Sequence, residues 1–358
     1  MPGLLDLLTE SWQSGEALAE RLGVSRAAVS KEARRLRAEG YPVEVSRRGY
    51  RILPGTPLPH LFHPRGRLGR PYRYLGRVGS TQDVLRAWAE EGAPEGALVL
   101  AEVQERGRGR RGRPWESRPG GSLTFSLLLR PGLPLSALGL LALLAGLALR
   151  EAVGVGGLKW PNDLLAPDGG KLAGVLLEAR AEGEEVSYAL LGVGVNVAWA
   201  PEGAAFLQAY APLSRREVLE GFLLKLEALL PLLETPEALL ERYRQASLTL
   251  GRKVRVHTGK GVVEGLAEDV LPDGSLLVGG VRVGAGEVEL LPEPERHPHP
   301  KELETGRRHR DVRFQQSFEF QDRLVIERHV VDLPGGDAGL GEAVFDGAGR
   351  KAEVVLYP

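Results

Sequence analysis

The stretch Glu102-Val103-Gln104-Glu105-Arg106-Gly107-Arg108-Gly109-Arg110-Arg111-Gly112-Arg113-Pro114-Trp115 sets five guanidinium groups, at 106, 108, 110, 111 and 113, among three glycines. Glycine lets a backbone turn and approach a ligand closely. Each guanidinium presents a fork that matches carboxylate or phosphate oxygens. Trp115 adds a flat apolar face that can pack on a ring or plug a core. The run sits between the apolar strand Leu98-Val99-Leu100-Ala101 and the alternating strand Ser122-Leu123-Thr124-Phe125-Ser126-Leu127-Leu128-Leu129. A disordered, RNA-binding Arg-Gly tract is the bland alternative, but such tracts are not normally set between strands. No G-x-x-x-x-G-K-[ST] occurs in the chain, so any ATP is bound without a Walker loop.

Downstream, Lys159-Trp160-Pro161-Asn162-Asp163 follows a Gly-rich turn, and its Asn-Asp pair favours a further turn with exposed side chains. Lys171-Leu172-Ala173-Gly174-Val175-Leu176-Leu177-Glu178 starts with a lysine at the mouth of an apolar strand. Gly192-Val193-Gly194-Val195-Asn196-Val197 is a strand with small residues, so a ligand or another backbone can come close. Taken singly, each lysine reads as a solvated surface group. Upstream, Gly79-Ser80-Thr81-Gln82-Asp83 precedes a helix over 84–91. Its hydroxyls and amides suit a neutral polar ring, although plain helix capping is the simpler reading of that spacing.

At the N-terminus, Leu18 and Leu22 share a helix face, Gly23 ends that helix, and Ser25 stands as N-cap of the next. That second helix, Arg26 to Ala38, is expected to turn Ala28, Val29, Ala33 and Leu36 inward and its basic residues outward. A hairpin with an Arg47-Arg48-Gly49 tip follows. Cap, turn, basic helix and wing in this order predict a winged helix-turn-helix that binds DNA through Ser25, Arg26, Ser30, Lys31, Arg34, Arg47 and Arg48. A protein-contact module with a solvated charged face is the competing reading.

With 358 residues the chain exceeds one ordinary core. Residues 1–53 read as the winged helix, 54–66 as a Pro/Gly linker, 67–248 as an alternating strand–helix domain and 249–292 as short strands of a small barrel. Residues 293–310 read as a charged linker and 311–358 as a β-rich extension. Net charge is −1, so contact with nucleic acid needs a local basic face. The absence of cysteine excludes disulfides, zinc–thiolate sites and a thiol nucleophile, and suits a reducing compartment. The first residues lack a basic segment and a long apolar run, which reads as cytoplasmic. The uncharged segment from Pro131 to Leu149 barely reaches spanning length and is expected as a buried helix, with no membrane contact.

Together these segments resemble the bifunctional biotin–protein ligase and biotin-operon repressor family over about residues 10–292. The resemblance rests on the winged helix, S-T-Q, E-x-Q-x-x-G-R-G-R-R-G-R-x-W, K-W-P-N-D, K-L-A-G-x-L-x-E, G-x-G-x-N and Gly286-Glu287. Lipoate ligases share the architecture but not the Arg-Gly and KWPND pair. Octanoyl transferases use a cysteine, which this chain lacks. The implied fold class is α+β: a winged helix-turn-helix, a central α/β ligase domain with a mixed sheet, and an SH3-like β-barrel, followed by the unassigned extension.

The resemblance also implies chemistry. Biotin's carboxylate attacks ATP, with Mg²⁺, to give biotinyl-5′-AMP, and a lysine of a biotin carboxyl carrier protein then takes the biotin. It implies Lys171, Arg110 and Asp163 at the reacting centre. Biotin is assigned to Ser80, Thr81, Gln82, Gln104, Arg108, Gly109, Arg110 and Lys171. The nucleotide is assigned to Arg108, Arg110, Arg113, Trp115, Asn162 and Asn196. No metal-ligating side chain is assigned. It further implies a homodimer that represses biotin genes at a DNA operator. An enzyme with a merely structural winged helix and a non-catalytic biotin sensor are the alternatives. Three departures stand out: S-T-Q replaces the more usual S-T-N, Pro114 stands where other members often carry Lys or another residue, and the chain beyond about 293 matches nothing recognised in the family.

Overall fold

The computed structural model describes residues 2–292 and the strand residues 341–345 and 352–356. Helices α1 (Leu4–Leu7), α2 (Gly15–Leu22) and α3 (Arg26–Ala38) open the chain. Ser14 caps α2 by accepting from the Ala17 N–H at 3.1 Å, and Ser25 caps α3 by accepting from Ala28 at 3.1 Å. Gly23 stops α2 in the left-handed region at φ 68°. Helix α3 buries Val29, Ala33 and Leu36, spaced four and three apart. Ala28, expected inward, is exposed, because a one-residue step from Val29 turns it about 100° off that stripe. Strands β1 (Val43–Ser46) and β2 (Gly49–Ile52) pair antiparallel and leave Arg47 and Arg48 at the exposed tip.

The expected linker 54–66 is packed. Thr56, Leu58 and Phe62 are buried, and the Tyr72 hydroxyl donates to the Pro57 carbonyl at 2.7 Å. The winged helix also rests directly on the next unit. The Tyr41 and Tyr74 rings lie 5.4 Å apart, and a Cβ at Gly76 would stand 2.4 Å from the Glu39 carbonyl oxygen.

The central unit runs β3 (Tyr72–Val78), α4 (Thr81–Glu90), β4 (Leu98–Gln104), β5 (Ser122–Leu129), α5 (Leu138–Val153), β6 (Gly157–Lys159), β7 (Asp163–Leu165), β8 (Lys171–Glu182), β9 (Glu185–Asn196), α6 (Arg215–Leu229) and α7 (Pro236–Ala246). Its main sheet has the order β8-β9-β5-β4-β3, with β3 and β4 parallel and the other neighbours antiparallel, so it is mixed. Strand β5 is buried at every position, which explains its run of apolar and small hydroxyl residues. Helix α5 packs on α6, α7 and β8 and buries its leucines from 138 to 149. The span Leu135–Val153 is apolar and long enough to cross a membrane by composition alone, but 67% of it is buried inside the fold.

One polar cluster lies inside this core. Arg215, the first residue of α6, donates to both oxygens of Glu102 on β4 at 2.8 Å and to the Thr56 hydroxyl at 3.0 Å. The Tyr74 hydroxyl and the Gly120 N–H, at 2.7 and 2.9 Å, complete the Glu102 carboxylate.

The C-terminal unit is a five-stranded antiparallel sheet ordered β13-β12-β11-β10-β14, from β10 (Lys253–Thr258), β11 (Gly261–Val270), β12 (Leu276–Val278), β13 (Val281–Val283) and β14 (Glu287–Leu290). Beyond it, β15 (Gly341–Phe345) pairs with β16 (Ala352–Leu356), and β16 adds antiparallel to β8 at Ala179–Ala181. The charged linker and the alternating runs expected at 312–320 and 323–331 lie outside the described residues.

Candidate functional site

Helix α4 begins at the C-terminal end of the parallel pair β3–β4. Ser80 is its N-cap by position, yet its side chain makes no capping bond. The simple capping reading therefore fails. The cap comes from Gln104 on β4, whose Oε1 accepts from the Thr81 N–H at 2.9 Å and the Thr81 hydroxyl at 3.0 Å. Thr81 Oγ1 also meets Ser126 Oγ at 2.8 Å. Ser80 is left facing the cavity described below.

The Arg-Gly segment leaves β4 and folds back on itself. The Trp115 N–H donates to the Gly107 carbonyl at 2.9 Å, and the Gly109 N–H donates to Arg113 at 2.7 Å. A Cβ at Gly107 would stand 2.5 Å from the Trp115 carbonyl oxygen, so the closure needs glycine there. Arg111 holds φ 56°, a left-handed conformation that non-glycine residues rarely adopt.

The arginines anchor this loop outward. Arg108 donates to Asp83 at 2.7 Å. Burial would raise the Asp83 carboxyl, but the hydrogen bond and charge of Arg108 outweigh it and hold the carboxyl below its usual range. Arg110 donates to Asn162 Oδ1 at 3.1 Å and to the Gly286 carbonyl at 2.7 Å. Its burial pulls the guanidinium down to about 10, against the supporting charge of Asp163. Arg111 donates to the His257 carbonyl and Arg113 pairs with Glu287, both in the C-terminal unit.

The hairpin β6–β7 supplies the opposite wall. Trp160 is fully buried and donates to the Gly274 carbonyl at 2.9 Å. Asp163 stands between two ammonium groups, with Lys171 Nζ at 2.9 Å and Lys159 Nζ at 3.7 Å. Asn196 donates to the Lys171 carbonyl at 3.1 Å, which turns its Oδ1 away, and that oxygen has no partner. The Trp115 indole lies over Gly194, where a Cβ would be 2.3 Å from the ring, and its buried Nε1–H is unpartnered. Lys171 Nζ is 5.7 Å from the centre of that ring.

A cavity of about 350 Å³ results, and every residue expected at the reacting centre or the two substrate subsites lines it. That volume suits a small-molecule ligand. Sequence reasoning assigned no role to Lys159, Gly192, Gly194, Pro201 or Ala204, which also line it. For the glycines the signal was present, but the visitors it admits are side chains, Trp115 and Gln82, rather than a backbone. Ala204 belongs to the segment after β9, where the Ala205 N–H donates to the Lys171 carbonyl at 3.1 Å.

The proposed DNA contacts lie apart from the cavity. Ser25, Arg26, Lys31, Arg34, Arg47 and Arg48 are exposed, Ser30 is half-buried, and the Ser25 hydroxyl is spent on the cap of α3. Their neighbour Arg35 is held between Glu32 and Glu39.

Comparison with known proteins gives independent findings. Residues 74–196 match the Biotin/lipoate A/B protein ligase family, and residues 4–51 match an HTH domain. The chain is 40% identical over 199 residues to the bifunctional ligase/repressor BirA of Bacillus subtilis, covering 51% of this chain and 60% of that protein. It is 32% identical over 292 residues to the bifunctional ligase/repressor BirA of Escherichia coli, covering 76% of this chain and 89% of that one. The chain thus spans about 60% of the length of the Bacillus relatives it matches. A solved biotin protein ligase from Aquifex aeolicus, in complex with biotin and ATP, superposes with a TM-score of 0.52 at 29% identity, covering 63% of this chain and all of that one.

Proposed function

This chain belongs to the biotin/lipoate A/B protein ligase family, among the bifunctional ligase/repressors, and on that premise we propose that it is an ATP-dependent biotin–protein ligase. The observation that carries the reading is the cavity itself: unfilled polar atoms, two lysines on one aspartate and an arginine loop converge on one space.

In the first step a carboxylate oxygen of biotin bonds to the α-phosphorus of ATP, and the bond to pyrophosphate breaks. In the second, a carrier-protein lysine amine attacks the carbonyl of the mixed anhydride, AMP leaves, and the amine loses a proton. No side-chain nucleophile is needed, in keeping with the absence of cysteine. The protein positions two anions and offsets their repulsion. Lys171, Arg108, Arg110 and Arg113 supply the positive charge. Asp163, paired with Lys171 and Lys159, is our candidate to orient or deprotonate the incoming amine. Of the residues lining the cavity, we assign Ser80, Thr81, Gln82, Gln104 and Gly109 to biotin and Trp115, Asn162 and Asn196 to the nucleotide. Mg²⁺ arrives with ATP as the counter-ion of its phosphates.

The C-terminal unit, which we read as an SH3-like barrel, holds the loop in place over the site through Gly286, His257 and Glu287. A closed loop shields the acyl-adenylate from water and from stray amines. The exposed basic face of α3 and the wing supports a second role, as a homodimeric repressor on an operator of biotin genes. Cytoplasmic residence fits both roles.

The test is incubation of the full chain with biotin, ATP, Mg²⁺ and a biotin-carrier domain, followed by mass analysis of the carrier. A carrier that gains no biotin overturns the ligase reading. A biotin-gene promoter fragment that shows no biotin- and ATP-dependent gel shift leaves the winged helix as a structural part of the enzyme.

A further inference from the structure

The C-terminal extension lies beyond both family matches, which end at residues 51 and 196, yet its last strand joins the main sheet. Strand β16 pairs antiparallel with β8, with Ala352 opposite Ala181, Glu353 opposite Arg180 and Val354 opposite Ala179. On its other side β16 is held by β15, Gly341–Phe345 against Ala352–Leu356. The extension thus adds a whole hairpin to one edge of the sheet.

That edge has a particular construction. Strand β7 covers β8 only at its start, with Asp163 opposite Gly174, and the Val175 N–H donates to the Asn162 carbonyl at 3.0 Å. From Leu176 onward, β16 is the sole outer neighbour of β8 among the described strands. An open edge presents backbone donors and acceptors that template another strand, and proteins usually guard it with Pro, Lys or an outward charge. Residues 176–181 hold no Pro and no Lys. Their two charged side chains are committed to α4, Glu178 to Arg86 and Arg180 to Glu90. Ala179 and Ala181 are small and buried. Over this stretch β8 itself carries no guard.

The strand that such an edge templates most directly is its own copy. A two-fold axis normal to the sheet sets two β8 strands antiparallel, the direction in which β16 already pairs, and such a contact is self-complementary. The hairpin and a second β8 need the same backbone groups, so one excludes the other.

We propose that the β15–β16 hairpin guards the β8 edge: it occupies the backbone of Ala179 to Ala181 and holds off edge-to-edge pairing with a second copy of this chain. The guard sets a threshold for self-association rather than forbidding it. Both copies must release their hairpins before they pair, so an edge free about one third of the time weakens pairing about tenfold. The inference is independent of the ligase reading, because its readout is association and not catalysis.

Sedimentation velocity of the full chain tests it, with biotin, ATP and Mg²⁺ present. Glu353→Pro together with Val354→Pro removes two adjacent backbone N–H groups, and since these alternate along a strand, one of them faces β8. This variant should self-associate at least about tenfold more tightly than wild type. Association equal to wild type overturns the proposal. A second measurement uses the absence of cysteine from the chain. Ala179→Cys with Val354→Cys puts two thiols at opposed positions, where Cα atoms lie about 4.5–5.5 Å apart, within the span of a disulfide. Mild oxidation should close the bond within one chain, and the oxidised protein should stay monomeric where the proline variant pairs. No disulfide, a disulfide joining two chains, or pairing as tight as that of the proline variant overturns the proposal. Wild type with no biotin-dependent ATP–pyrophosphate exchange would refute the ligase reading and leave this test intact.

Discussion

Two buried polar clusters share strand β4, and they are finished to different degrees. Around Glu102, both carboxylate oxygens are filled by Arg215, Tyr74 and the Gly120 N–H, and Arg215 also reaches Thr56. Two residues further on, Gln104 faces a cavity where Gln82 Oε1, Trp115 Nε1 and Asn196 Oδ1 have no partner. A saturated cluster has nothing left to offer a ligand and serves to hold the fold. An unsaturated one keeps bonding capacity in reserve at some cost in stability. The difference separates residues that hold the molecule together from residues with bonding capacity left for a ligand, although both sets are polar.

The comparison breaks first at Arg215. Replacing it with Met strands Glu102 without its cation, and the loss should be about 3–5 kcal/mol in denaturant unfolding. Exchange activity per folded molecule should stay near wild type. A loss below about 1 kcal/mol would mean the cluster holds little.

Lys171→Ala should do the reverse. Unfolding should change little, while biotin-dependent ATP–pyrophosphate exchange drops roughly ten- to a hundred-fold, the worth of one charge-assisted hydrogen bond. Wild-type exchange in this variant would remove Lys171 from the reaction.

Arg110→Gly tests the loop that joins the cavity to the C-terminal unit. Without the bonds to Asn162 and Gly286, biotinyl-adenylate should escape about tenfold faster, the worth of roughly one such bond. Bystander lysines should then be labelled, as seen by blotting a protein mixture. Labelling confined to the carrier would show that the loop is not a lid.

The smallest effect is expected for Thr56→Val. It removes one neutral partner of Arg215 and should cost about 1 kcal/mol, with activity untouched. A fall in activity larger than the fall in stability would join the two clusters into one system.

These contrasts follow the line between what local sequence carries and what it does not. The caps at Ser14 and Ser25, the stop at Gly23 and the burial of α5 are set by neighbours a few residues away, so spacing rules reach them. Ala28 went astray because one helical step exceeds the width of the buried stripe. In the site, the order of the Arg-Gly, KWPND and KLAG segments was legible, and the structure gathers them around one cavity. The partners that finish them are remote. Glu102 waits for Arg215 across 113 residues, and Gly192 is small for the sake of Gln82, which caps no local turn. Such reciprocal fits exist only once the sheet has formed.

The anchors of the arginine loop carry one more implication. Arg110 and Arg111 grip the carbonyls of Gly286 and His257, which are main-chain oxygens. Every residue type has such an oxygen, so the surface of the C-terminal unit is free to drift in sequence without loosening that grip. The exceptions are Gly286 itself, where a methyl group would lie 2.4 Å from Val256, and Glu287, whose carboxylate pairs with Arg113. The grip is therefore inherited mostly with the path of the chain, and Gly286 and Glu287 are the points at which drift would be felt.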